Sequence, residues 1–460
     1  MIVAPPYTPP VPPIPAANPG LRAFLHAART NALLLWPRAA YEEDSHATRF
    51  LGRTTLLLNA PEAIRQVLVD NPANYRRSPA SIRILRPLTG AGLLLAEGEA
   101  WRLQRRTIAP ALAPRMLPLL ARHVMAVATE TVAGLRGHLG GPVDLLAAMQ
   151  AMALEIAGRS MFSLETAGAG PALRAMVREY GLDLARPHLA DLIVPVAIPT
   201  WRDLRRRRFQ RRWMALMSGL IRDRLAAPPP EVPRDLFDLL RAARDPETGA
   251  GFDAAALRDQ TATMILAGHE TTAVTLFWAL TLLAVVPEAQ ARVAAEARRV
   301  DLATAVAAGA IPDLPHTAAV VAETLRLYPP AFTLARAAIG ADRAGGIAIA
   351  PGTLILIAPW VLHRHRRLWR DPGAFDPDRF APGAPAPPRF AYLPFGAGPR
   401  VCVGAQFALM EATLALAAVV GAFEIAREDD RPVLPAAVVT TQPDHAPGFR
   451  LRERAYRPFG

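Results

Sequence analysis

The chain has 460 residues, 52% of them hydrophobic and 20% charged, which suits a large buried core and excludes a disordered or collagen-like chain. The formal net charge is +12, and with no Lys in the sequence all 52 basic side chains are Arg, which stay charged and pair bidentately with carboxylates and phosphates. The single cysteine, Cys402, excludes an intrachain disulfide, a CxxC redox pair and a multi-Cys zinc site, and taken alone a lone thiol reads as a small buried hydrophobe.

In chain order, residues 1–20 form a Pro-rich arm that avoids helix, because Pro lacks a donor and restricts its predecessor. They carry no charged region followed by an apolar run, so no secretory signal is expected and the cytoplasm is the expected compartment. Residues 21–460 read as one domain. A helix from Leu21 leads into a short strand, RFLGRTTLLLN, before Ala60. Helical periodicity then dominates to about Val300. Within it, Trp201 to Trp213 holds seven Arg interleaved with aromatics after the apolar LADLIVPVAIPT. That run fits a solvated helix face better than a nucleic-acid site. The apolar run Thr261 to Val286 approaches membrane-span length, yet His269 and Glu270 near its middle make it a long buried helix rather than a transmembrane anchor. Gly345 to Trp360 suggests a small hairpin or sheet broken at Pro-Gly. Asp371 to Cys402 is a long irregular segment of the kind that carries function. A helix follows Gly404, and short strands and turns follow Arg427.

Cys402 lies in Phe-Gly-Ala-Gly-Pro-Arg-Val-Cys-Val-Gly, residues 395–404, just before an apolar helix. A helix N-terminus and nearby Arg400 favour the thiolate, while Gly396, Gly398 and Gly404 let backbone approach a flat ligand closely. A nucleophile elbow would need Gly at position 400, and a cysteine hydrolase would need a base that no neighbouring His supplies, although a distant one could fold in. Thiolate ligation of haem iron is the better-supported use. The helical stretch Ala-Gly-His-Glu-Thr-Thr, residues 267–272, cannot be a zinc site of HExxH form because position 273 is Ala273. Glu323 and Arg326 share a helical face, as do Trp101 and Arg105.

Phe395 to Gly404 resembles the F-x-x-G-x-R-x-C-x-G signature of the cytochrome P450 family with every fixed position filled, and the other three motifs follow the family's order. The resemblance implies a mainly α fold with a small β-rich lobe, and haem b between the long Glu270 helix and the Cys402 loop. It implies Cys402 as iron ligand in a cradle that includes Phe395, Gly398 and Gly404, and Trp101, Arg105, Arg336 and Arg400 as propionate donors. Glu270 and Thr271 become the proton-delivering acid and alcohol, with Gly268 leaving room for dioxygen. Glu323, Arg326 and Arg379 become a buried structural network. Because Ala267 replaces the Glu that some members esterify to haem, no such link is expected. Ala267, Ala331, Phe332 and a loop from Ile82 to Leu95 are expected pocket walls.

The implied activity is a monooxygenase acting on a lipophilic substrate such as a fatty acid, terpenoid or steroid. No flavin, nicotinamide or iron–sulfur motif is present, so electrons are expected from an external ferredoxin or flavodoxin with its NAD(P)H reductase, docking on Arg such as Arg102, Arg106 and Arg366. A monomer without nucleic acid is expected. A peroxide-driven or non-redox haem-thiolate enzyme, and more distantly the cysteine hydrolase, are the alternatives.

Overall fold

The apolar run around Glu270 forms the middle of a 32-residue helix, Ala254–Val285, started by Asp253, whose side chain accepts from the Ala256 amide, and followed by Pro287. A computed structural model describes residues 6–50, 52–163 and 170–455. This central helix is apolar around most of its circumference, and it is packed by helices Leu145–Phe162, Ala405–Ala422, Trp201–Ala226, Pro315–Leu327 and Pro79–Thr89. Its Trp278 stacks on Tyr328 at 4.0 Å and donates its indole N–H to the Thr441 carbonyl at 2.8 Å. That bond ties the C-terminal strands to the core. The main buried cluster runs from Leu33 to Leu451, and a second one lies under the sheet, around Leu58, Ile64 and Ile355.

The sheet has five strands in the order Ser45–Phe50, Arg53–Leu58, Leu354–Ile357, Leu334–Ala338, Tyr75–Arg77. The single strand expected before Ala60 is therefore a hairpin, with Gly52 at φ +76° in its turn. The segment Gly345 to Trp360 divides at Pro351-Gly352. Ile347–Ile349 pairs with Asp342–Ala344 in a separate hairpin, and Leu354–Ile357 enters the main sheet.

Two further expectations are refined. Most of the proposed Ile82–Leu95 loop is the helix Pro79–Thr89: Ser78 caps it by accepting from the Ser81 amide, Pro79 fits its first turn, and Ile84 and Leu88 bury one face. The arm from residue 6 to residue 20 is irregular, as expected, and is held by Tyr7 and Pro15, whose carbonyls accept from Phe375 and Arg38; residues 1–5 lie outside the described residues. Among the described residues one helix, Ala405–Ala422, is long and apolar enough to cross a membrane, and 56% of it is buried; the central helix and Pro287–Ala297 reach that length and apolarity only when taken together across a 116° bend.

Candidate active site

Asp371 to Cys402 contains only short 3-10 turns, so its shape depends on side chains reaching in from elsewhere. Glu323 and Arg326, on adjacent turns of Pro315–Leu327, are fully buried and joined at 2.6 and 2.7 Å. Arg326 donates to the carbonyls of His363, Pro372 and Ala374, Glu323 accepts the Asp376 amide, and Arg379 stands 3.6 Å from Glu323. The network fixes the irregular segment, because breaking a buried pair strands a charge at ~3–5 kcal/mol. His363 adds a second clamp: it donates from Nδ1 to the Arg326 carbonyl and accepts the Leu393 amide on Nε2 at 2.8 Å. Complete burial lowers its pKa to about 3, so it stays neutral and keeps this tautomer.

The cysteine loop closes when the Cys402 amide donates to the Phe395 carbonyl at 2.9 Å. Gly398, at φ +72°, lies so close to the segment 66–70 that a Cβ would sit 1.9 Å from the Leu68 carbonyl oxygen. Only glycine fits there. Gly404 precedes the helix Ala405–Ala422, and its amide donates to the Cys402 sulfur. Cys402 is accessible to solvent, yet the surrounding protein pushes its thiol pKa up, opposed by the Gly404 amide and by Arg105. The expected charge partner is thereby corrected. Arg400 turns away from the sulfur, donating to the Ala96 carbonyl at 2.9 Å and to Glu97 at 3.0 Å, with its guanidinium 4.6 Å from the Trp101 ring centre. Arg105 donates to the Val401 carbonyl at 2.7 Å beside the cysteine.

Arg336 is buried on strand Leu334–Ala338, and its direct cross-strand partner is Arg77, which the sequence reading missed. Burial, with repulsion from Arg336 and Arg400, lowers the pKa of Arg77 to about 9, and burial with repulsion from Arg400 lowers that of Arg336 to about 10. Glu97 is the carboxylate that offsets them, and the Nε of Arg77 is buried without a hydrogen-bond partner. Like charges opposed across a sheet are unfavourable unless an anion lies between them. The donors thus fit a ligand carrying carboxylates, and the accessible sulfur fits a soft metal ion. Both requirements match haem.

On the central helix, Ala267 is exposed and Thr271 half-buried one turn on, while His269 and Thr272 face protein. The Thr271 hydroxyl donates to the Ala267 carbonyl at 2.6 Å, the local bond that competes with a catalytic role. A Cβ on Gly268 would meet nothing within 4 Å. Glu270 turns toward the C-terminal strands, where it accepts from Gln442, which also bonds Thr440 at 3.0 Å. Burial raises the Glu270 pKa against the hydrogen bonds its carboxyl makes with Thr440 and Gln442. Thr272 donates to the wholly buried Glu411 at 3.2 Å. Gln442 and Glu411 left no signal in sequence spacing. Of the expected wall residues, Ala331 is exposed and Phe332 buried. The Arg named for electron-donor docking are not bare charges: Arg102 pairs with Glu99, Arg366 with Glu42, and Arg106 with buried Asp245 at 2.9 Å.

The family model described as Cytochrome P450 matches residues 41–446. The chain belongs to the cytochrome P450 family. Among curated P450 proteins it is 34% identical to Cyclooctat-9-en-7-ol 5-monooxygenase of Streptomyces melanosporofaciens, over 78% of this chain and 77% of that protein. It is 30% identical to Pentalenene oxygenase of Streptomyces avermitilis, over 86% and 87% respectively. The cytochrome P450DA heme domain superposes with a TM-score of 0.82, covering 97% of this chain and 98% of that one at 24% identity, which bears on the fold alone. The mainly α P450 fold expected from the sequence is thus present, and the chain is a P450 monooxygenase with a haem cofactor.

Proposed function

We propose that this P450 inserts one oxygen atom of O2 into a cyclic, lipophilic terpenoid, with two electrons from an external ferredoxin- or flavodoxin-type donor and its NAD(P)H reductase. The observation that carries the reading is the anion-deficient cluster of buried Arg336 with half-buried Arg77 and Arg400 beside the accessible Cys402. Relatives named for cyclooctat-9-en-7-ol and pentalenene support the substrate class.

Arg77, Arg336, Arg400 and the Trp101 indole would hold the two propionates of haem b, exchanging mutual repulsion for charge-assisted hydrogen bonds. Cys402 would bind the iron, with the Gly404 amide limiting the charge on sulfur and Arg105 fixing the loop through Val401. Once bound, the haem supplies oxygen activation. Glu270, its pKa raised by burial, keeps a proton available while Gln442 holds the carboxyl in place. Thr271, already oriented by Ala267, is the hydroxyl through which that proton passes by way of water.

Turnover of a terpenoid under isotopically labelled dioxygen tests the reading. One labelled oxygen should appear in the product, and Thr271→Ala should lower product per electron by about tenfold or more, short of a full acid–base contribution of roughly 100-fold. Label drawn from water, or turnover sustained by peroxide without any electron donor, contradicts it.

A further inference from the structure

Asp203, Arg206, Arg207 and Gln210 recur at helical spacing on one face of Trp201–Ala226, and Arg83 and Arg86 share a face of Pro79–Thr89. The two faces meet across a cleft of about 120 Å³, several times the space one water needs. Part of the lining is fixed. Arg83, 5% exposed, donates to Asp203 at 2.9 Å and to the Pro195 carbonyl at 2.6 Å, and Arg206, 1% exposed, pairs with Asp191 at 2.6 Å. Asp203 also lies 3.5 Å from Arg206 and accepts from the amide and hydroxyl of Thr200, so its oxygens are occupied.

Charge in the cleft is not balanced. Asp203 and Asp191 offset Arg83 and Arg206, but Arg86 and Arg207, one on each wall, have no carboxylate partner among the described residues. Two positive charges therefore remain. The Nε of Arg83 is buried without an acceptor, and the Gln210 amide has no hydrogen-bond partner among the described residues. A solvated Arg face explains Arg86 and Arg207 but not the unbonded donor of a buried Arg83. Two charges match a dianion, and guanidinium groups from two helices suit the oxygens of a phosphate. The rest of the lining is apolar, from Ile82, Pro87, Val196 and Pro199, and it suits the organic group of an ester better than bare inorganic phosphate.

We propose that this cleft is a binding site for a phosphate dianion carried on a small organic molecule, a phosphate monoester. Arg86 and Arg207 neutralise its charge from opposite walls, and the Arg83 Nε and the Gln210 amide donate to its oxygens. The cleft shares no residue with the cysteine loop or the Arg336 cluster, so its occupant is a second ligand beside the haem. It acts as a tie. The two helices pack on each other and on the central helix, and an anion held between them strengthens that arrangement. The inference is independent of the terpenoid reading.

Isothermal titration of the haem-loaded protein in a chloride buffer of about 0.15 M ionic strength tests it, with phenyl phosphate, inorganic phosphate and benzoate as probes. Phenyl phosphate should bind one to one, about threefold or more tighter than inorganic phosphate through its apolar ring, and the singly charged benzoate about tenfold weaker than phenyl phosphate. Arg86→Gln and Arg207→Gln, at exposed positions that leave the core intact, should each lower phenyl phosphate affinity about tenfold, and Arg207→Lys should recover part of the loss. Phenyl phosphate should raise the melting temperature of the parent and leave that of the Arg86→Gln, Arg207→Gln double variant unmoved. Absence of saturable binding overturns the proposal. So does binding of several equivalents that the Arg variants leave unchanged, which is the loose counterion uptake of an Arg-rich surface. Inorganic phosphate binding as tightly as phenyl phosphate overturns the ester and assigns the cleft to the free anion. Binding that shifts the Soret band and persists in both Arg variants belongs to the haem pocket and contradicts a separate site.

Discussion

Arg77 shows how much a single side chain can reveal. Opposite Arg336 in the sheet, with a buried Nε left unbonded, it is expensive in the protein alone and useful only to a bound dianion. Replacing it by Met should stabilise the haem-free protein by about 1–4 kcal/mol, because a buried charge gives way to an apolar group of similar length. The same change should speed haem loss by roughly tenfold or more, because one charge-assisted hydrogen bond is gone. Thermal melts of the haem-free protein and haem transfer to an acceptor protein check the two opposed effects. No sequence pattern shows Arg77, since its meaning arises from a strand pairing that spans most of the chain. Arg400 makes the converse point. Two residues from Cys402, it was expected to favour the thiolate, yet Glu97 and the Trp101 ring capture it and Arg105 acts instead.

Among the elements, the central helix and the helix after Gly404 were legible because both are long, apolar and carry a motif within a few residues. Their contact was not. Glu411 on one and Thr272 on the other meet in a dry interface, where burial raises the Glu411 pKa from 4.5 to about 8. Between those values the folded protein keeps a proton that the unfolded chain releases, so stability falls as pH rises through about 4.5 to 8. His363 acts in the opposite sense: with its pKa at about 3 against 6.5 unfolded, stability falls as pH drops through that window. Glu411→Gln should flatten the alkaline side alone, becoming more stable than the parent near about pH 9 while remaining close to it near about pH 5, as urea midpoints will read out. The Pro79–Thr89 helix was missed for a plainer reason. The loop from Ile82 to Leu95 came from the resemblance alone, whereas the chain's own Ser78-Pro79 start and the Ile84 and Leu88 face mark a helix.

For the molecule as a whole, four short motifs sufficed to identify the family, because each is a local spacing that needs no knowledge of the fold. Identity with the curated relatives lies near a third, and the pocket walls come from separated segments, so the substrate is far less legible than the cofactor. The +12 charge is also less bare than its size suggests, since Arg102, Arg106 and Arg366 are all ion-paired. The account rests on Cys402 as the thiolate ligand of a haem whose propionates lie among Arg77, Arg336 and Arg400. Anaerobic reduction of the purified protein under carbon monoxide tests this most directly. The account predicts the red-shifted Soret band of a thiolate-ligated haem, lost in Cys402→Ser because the chain has no second thiol to take its place. A colourless protein, or the same red-shifted band in Cys402→Ser, would contradict it.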